Sequence, residues 1–255
     1  LEEMSIGRKV QTCLFPQEEL IAGEYHVFGL SRPATELGGD YFDYLTIGNR
    51  MLLVLIGDVT GHGIGAALIM AMAKSIVITM AKLGRTPSDI MESLNHAIYE
   101  TFKSQRIRLN MTTCVLAIDL ETHQGTVFNC GHPHPLVQDQ SGFFRFLPSS
   151  GRPIGFKPQL LTTPVPYSLQ KGQKMVLYTD GLVESLCKTR EVDGFLVFQS
   201  YVQSGSAVSA RETCAEILDR QGEDGREHHR VAEPHGDDRA CGQPAAGSSR
   251  HPGQD

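Results

Sequence analysis

Two strand-like runs, Asp40–Ile47 and Met51–Val59, are separated only by Gly48-Asn49-Arg50. A connection that short admits only an antiparallel hairpin. The second run, with its strongly apolar Leu52-Leu53-Val54-Leu55-Ile56-Gly57, ends on Asp58-Val59 and leads through Thr60-Gly61-His62-Gly63 into a helical stretch. Gly61-x-Gly63-x-x-Ala66 between a strand and a helix fits the loose dinucleotide fingerprint. That fold needs a parallel strand after the helix. Here the helix near Ile64–Leu83 runs, past Gly84-Arg85-Thr86, into a second helix near Pro87–Lys103. A nucleotide-binding reading is therefore disfavoured.

The rest of the chain continues in short hairpins. A helix over Leu1–Phe15 is stopped by Pro16, and a strand over Tyr25–Leu30 precedes the turn-rich Ser31–Gly39. Strand patterns recur at Thr112–Leu120 and Thr126–Cys130 around His123-Gln124-Gly125, then at Pro135–Gln138, Gly142–Phe146, Leu161–Pro166 and Lys174–Thr179. Asp180–Leu186 and Ala210–Arg220 read as helices. Strands, two helices, more strands and then helices make an α+β chain with mainly antiparallel sheets. Residues 1–16 read as a linker helix that an upstream sensor domain would join, with a homodimer through it left open. Residues 17–220 form the folded domain. Residues 221–255 hold no Leu, Ile, Phe, Met or Tyr and are expected to stay disordered.

Composition narrows the partners. Across 255 residues the net charge is −6, which argues against nucleic acid or an anionic membrane as the main partner. The longest apolar run, Ala66–Ala81, is interrupted by Lys74 and falls short of the about twenty residues a spanning helix needs. A buried core helix without membrane insertion is expected, with no signal peptide expected ahead of it. Six cysteines (13, 114, 130, 187, 214, 241) lie without a CxxC pair, which offers no zinc motif and suits reduced thiols in the cytoplasm.

Three acids share one setting. Gly38-Gly39-Asp40 opens a strand, Asp58 closes one, and Asp180 closes Met175-Val176-Leu177-Tyr178-Thr179. Asp next to Gly after a strand is also an ordinary turn or cap. Three such acids converging would repel one another unless cations offset them. Oxygen-only ligands suit Mg2+ or Mn2+ rather than zinc.

Four ordered segments carry a resemblance. Pro33-Ala34-x-x-x-Gly38-Gly39-Asp40-Tyr41-Phe42-Asp43 and Gly57-Asp58-Val59-x-Gly61-His62-Gly63-x-x-Ala66-Ala67-Leu68 come first. Asn129-Cys130-Gly131-His132-Pro133-x-Pro135-Leu136 and Leu177-Tyr178-Thr179-Asp180-Gly181-Leu182-x-Glu184 follow, and Leu14-Phe15-Pro16 fits as well. Together they resemble the metal-dependent PPM protein phosphatases, in the bacterial stage-II-sporulation-E and sigma-regulator branch, over roughly residues 1 to 220. The resemblance implies a four-layer α-β-β-α sandwich. It implies two divalent cations, Mn2+ or Mg2+, with Asp40, Asp58 and Asp180 on the family's metal-ligand aspartates and the Val59 carbonyl on its main-chain ligand. Asp43 also matches, but it stands an odd number of residues from Asp40 and is expected on the opposite strand face, in a supporting role. His62 is a candidate acid for the leaving alkoxide, whereas His132 reads as structural.

One segment departs from the pattern. The family's closing Asp-Asp/Asn-x-Thr/Ser leads into an apolar strand, but here Asp237-Asp238-Arg239 is followed by Ala240-Cys241-Gly242-Gln243-Pro244. Asp237 is the candidate for a further metal ligand. The sheet it should join is expected to lack its last strand, leaving one cation weakly held. The leading function is hydrolysis of phosphoserine or phosphothreonine by a water activated between two cations, the implied substrate being a phosphorylated regulator such as an anti-sigma-factor antagonist. Two alternatives stay open. A partner-binding pseudophosphatase would keep the fold without turnover. An aspartyl-phosphate enzyme usually needs an acid two residues past its nucleophile, where Thr60 and Leu182 stand here.

Overall fold

The computed structural model describes residues 2–32, 37–105, 109–138, 141–186, 194–204 and 209–228. Its elements run α1 (Glu2–Leu14), β1 (Leu20–Ala22), β2 (Tyr25–Val27), β3 (Tyr41–Ile47), β4 (Met51–Val59), α2 (Ile64–Lys82), α3 (Pro87–Phe102), β5 (Met111–Asp119) and β6 (Gly125–Cys130). They continue with β7 (Leu136–Gln138), β8 (Phe144–Phe146), β9 (Val165–Tyr167), β10 (Lys174–Val176), α4 (Asp180–Ser185), α5 (Gly194–Ser204) and α6 (Ala210–His228). One sheet is ordered β3-β4-β5-β6-β9, another β10-β7-β8, and β1-β2 form a separate hairpin. All pairings between these strands are antiparallel.

Strand alternation explains the layers. On β4, Leu53 and Leu55 face one way while Leu52, Val54 and Ile56 face the other, because successive side chains leave a strand on opposite sides. The first set meets α2 and α3. There Ala66, Ile69, Met70, Ala73, Val77 and Ala81 recur at helical spacing, with Ile90, Met91, Leu94 and Ile98 beside them. The second set packs with Val137, Leu147, Met175 and the β1-β2 hairpin, so this core lies between the sheets. The outer face of the small sheet, through Leu136, Phe144 and Val176, packs on Tyr178, Leu186, Phe198, Val202 and Ile217. The result is the helix–sheet–sheet–helix order expected. Helix α2 is long and apolar enough to cross a membrane by length and composition alone. Its buried stripe against the sheet is what a core helix presents. The four described cysteines, Cys13, Cys114, Cys130 and Cys214, are free thiols.

Several element boundaries differ from expectation. The strand begun at Tyr25 stops at Val27, and the hairpin partner Leu20–Ala22 was not anticipated. Of the strand expected over Leu161–Pro166, Thr162 makes an isolated bridge to Gly151, and β9 starts only at Val165. Pairing of β10 ends at Val176, so Leu177–Thr179 turn into α4. Helix α5 was missed. Helix α6 runs past Arg220 to His228, beyond the helix end expected at Arg220.

Candidate metal centre

The β3-β4 register sets the first two acids. Tyr41 pairs with Gly57 at the open end of the hairpin, and one further residue on each chain places Asp40 opposite Asp58. Residues directly opposite in a sheet share a face. By parity with Leu52 and Ile56, that face looks toward the second sheet. Asp43 has the other parity and is buried on the helix side. It accepts hydrogen bonds from Lys74 Nζ (2.7 Å), Tyr41 Oη (3.0 Å) and the Tyr44 amide (3.0 Å). Its supporting role is thus to anchor α2 to β3, away from the other acids.

Glycine geometry shapes the space beside Asp58. The Gly39 carbonyl accepts from the Val59 amide at 3.3 Å. A Cβ at Gly39 would stand 2.6 Å from the Val59 carbonyl oxygen and 3.0 Å from Asp58 Oδ1. Only glycine leaves that carbonyl and that carboxylate edge open together. Gly38 is held in turn by Gln11 of α1, whose side chain donates to its carbonyl (2.7 Å) and accepts from its amide (3.2 Å). Pro33-Ala34, the start of this motif, lie outside the described residues.

Asp180 opens α4 from the second sheet's side. Thr179 sits at the N-cap in an extended conformation, yet its side chain makes no capping bond. That side chain instead lies near enough to Asp40 to oppose the rise of its carboxyl. One carboxyl oxygen of Asp180 accepts from the Gly181 amide at 2.9 Å. Thr179 therefore places the Asp180 segment beside Asp40.

Electrostatics shows that the acids share one field. Burial, then the charges of Asp40 and Asp180, raise the Asp58 carboxyl to about 7, with Glu184 adding a smaller push and the Val59 backbone opposing. Burial also raises Asp40; Thr179 opposes it and Asp180 adds to it. A divalent cation between such groups would reverse this logic and favour their charged forms. The donor set, carboxylates plus the open Val59 carbonyl, is all oxygen and fits Mn2+ or Mg2+. Among the described residues, however, no group of three or more His, Cys, Asp or Glu side chains is drawn tightly enough to enclose an ion. Asp237 lies outside the described residues.

The histidines separate cleanly. His62 is exposed between Gly61 (φ 94°) and Gly63 (φ 80°) and is not among the charges that shift Asp40 or Asp58. His132 is buried, its backbone clamped by Asn129, which accepts from its amide and donates to its carbonyl, both at 2.9 Å. Sequence reasoning missed Gln11, Thr179 and Lys74 as partners of these acids. Their contacts link residues far apart in the chain, which no local period records. Glu184 carried a visible signal, since it stands one helical turn after Asp180 on α4.

The model of the stage II sporulation protein E (SpoIIE) family matches residues 48–240, most of the chain. This chain belongs to the SpoIIE family. The match takes in Asp58, Asp180 and Asp237 and reaches beyond residue 220. Two relatives of this chain are phosphoserine phosphatases of Bacillus subtilis. RsbP is 28% identical over 183 residues, covering 71% of this chain and 45% of its own length. RsbU is 28% identical over 225 residues, covering 85% of this chain and 64% of its own. The chain thus spans about half to two thirds of those relatives. Among solved structures, the SiaA PP2C domain of Pseudomonas aeruginosa superposes with a TM-score of 0.72 at 20% identity, covering 89% of this chain and 91% of that domain. That likeness concerns the fold, and it is the fold of a PP2C-type phosphatase domain.

Proposed function

We propose that this SpoIIE-family domain hydrolyses phosphoserine or phosphothreonine on a phosphorylated regulatory protein, an anti-sigma-factor antagonist being the class of substrate. The observation that carries the reading is the shared field of Asp40, Asp58 and Asp180 at the junction of the two sheets. Asp40, Asp58, Asp180 and the Val59 carbonyl would hold two divalent cations, Mn2+ or Mg2+, with Asp237 as a further candidate ligand. When bound, such cations supply an activated water and offset charge on the phosphoryl group. The chain's own part is placement. The hairpin fixes Asp58 against Asp40, Gly39 keeps the Val59 carbonyl open, and Thr179 steadies Asp40 from the Asp180 side. We place the protein in the cytoplasm, which its free thiols suit. The linker helix α1, through Gln11, is the route by which an upstream sensor domain would reach the centre.

The test is hydrolysis of a phosphoserine peptide by the full chain, with Mn2+ or with EDTA. Turnover that needs the metal is expected. No turnover by a folded, Mn2+-loaded chain would contradict the enzyme and leave the partner-binding pseudophosphatase in its place.

A further inference from the structure

His132 lies on neither metal-bearing segment, yet it touches the frame of both. Thr112 is the register partner of Asp58 across β4-β5. Its hydroxyl stands 2.9 Å from His132 Nδ1 and 3.5 Å from the Asp58 carbonyl oxygen. The imidazole is 5% exposed, and its Nε2 is buried with no partner at hydrogen-bond geometry. The Tyr178 backbone and the Asp180 carboxylate are the groups that act on the ring against its burial, and burial wins, lowering the imidazole to about 4. The single Thr112 hydroxyl thus joins Nδ1 to the Asp58 carbonyl, and it leaves Nε2, on the other side of the ring, outside that contact.

The peptide that presents this ring is built for the task. Gly131 has φ 74°, a conformation open to glycine, and bridges to Thr113 next to Thr112. Asn129, itself 1% exposed, locks the His132 backbone from both sides. A buried polar atom left without a partner is costly. An imidazole set between the β4-β5 strand end and the segment that opens α4 is a large commitment for a core that aliphatic side chains could fill.

We propose that His132 is a positioning residue of the metal centre: a buried spacer between the Thr112–Asp58 strand end and the Tyr178–Asp180 segment that sets the separation of Asp58 and Asp180. It deepens the phosphatase reading and rests on it. Losing a group that orients metal ligands costs about 10- to 100-fold in metal affinity.

The probe is Mn2+ alone, titrated calorimetrically into the full chain, with the melting temperature of the metal-free protein measured alongside. His132→Ala and Thr112→Val are each expected to raise the Mn2+ Kd by about tenfold or more. His132→Gln, which keeps a neutral group against Thr112, is expected to recover part of the loss. Asn95→Ala is the control. Asn95 is also buried (3% exposed) and clamps Gly155, Lys157 and Pro158 away from the acids, so it should lower the melting temperature and leave the Kd unchanged. Folded His132 and Thr112 variants that bind Mn2+ like wild type would overturn the positioning role. If His132→Ala does not fold, the nearly isosteric Thr112→Val decides. A wild-type chain that binds no Mn2+ would overturn the metal-centre reading itself, and this inference with it.

Discussion

Asp40 and Asp58 stand at the open end of a hairpin with seven paired positions, whose longer strand is paired again along its whole length with β5. Asp180, by contrast, follows a three-residue strand and opens a six-residue helix with no buried residue. The first pair is held by a ladder and a core in which Leu53 and Val59 are fully buried. The third acid is held by few contacts, and it is exposed. Long ladders over a packed core open only with the whole fold, whereas short, exposed elements open locally. One side of the proposed centre is thus a template, and the other, on the inference above, is set against it through His132. A cation that bridges the two sides would add its binding energy to that closure.

This contrast can be broken most forcefully at Asp43, on the template side but on the face turned from the acids. Asp43→Ala would leave Lys74, whose side chain is 15% exposed, without its carboxylate, and Tyr41 and Tyr44 without an acceptor. Removing one partner of a buried ion pair costs about 3–5 kcal/mol. For a domain of this size that is roughly a 6–20 °C fall in melting temperature. Mn2+ affinity of the folded protein should stay near wild type. A matching loss of affinity would mean that the two faces of the hairpin are not separable.

Gly39→Ala sharpens the comparison from the site side. The added Cβ would meet the Val59 carbonyl oxygen at 2.6 Å and Asp58 Oδ1 at 3.0 Å, and backbone cannot yield as a flexible side chain does. A drop in Mn2+ affinity of about 10- to 100-fold is expected, with a destabilisation of about 1–3 kcal/mol, smaller than at Asp43. Unchanged affinity in titration calorimetry would remove the Val59 carbonyl from the ligand set.

The template half was the more legible half in sequence. Two apolar runs around Gly48-Asn49-Arg50 leave one way to pair, so β3 and β4 and the face of each acid follow from spacing alone. Pro87 after Thr86, with Asp89 completing a capping box, marks the start of α3 just as plainly. The closing half was harder to read. Leu177-Tyr178-Thr179 is as strand-like as the residues before it, yet it leaves the sheet so that Tyr178 can pack on Phe198 and α4 can begin. Helix α5, with Phe195 and Phe198 inside an aromatic cluster, is as rich in aromatic and β-branched residues as a strand, and tertiary packing overrides that preference. The three acids stood out because glycine marks each one. Gln11, Lys74, Thr112 and Thr179 did not, because their meaning lies in partners that only folding brings near.

The most direct test of the centre is calorimetric titration of Mn2+ into the wild-type chain and into Asp58→Asn. Asp58 is the acid on which burial and the charges of Asp40, Asp180 and Glu184 all bear, so its loss should exceed the about 100-fold upper range for groups that merely orient ligands. Wild-type binding that disappears in Asp58→Asn, with the metal-free variant still folded, is the expected result. Equal Mn2+ binding by the two proteins would contradict a metal centre built on these aspartates.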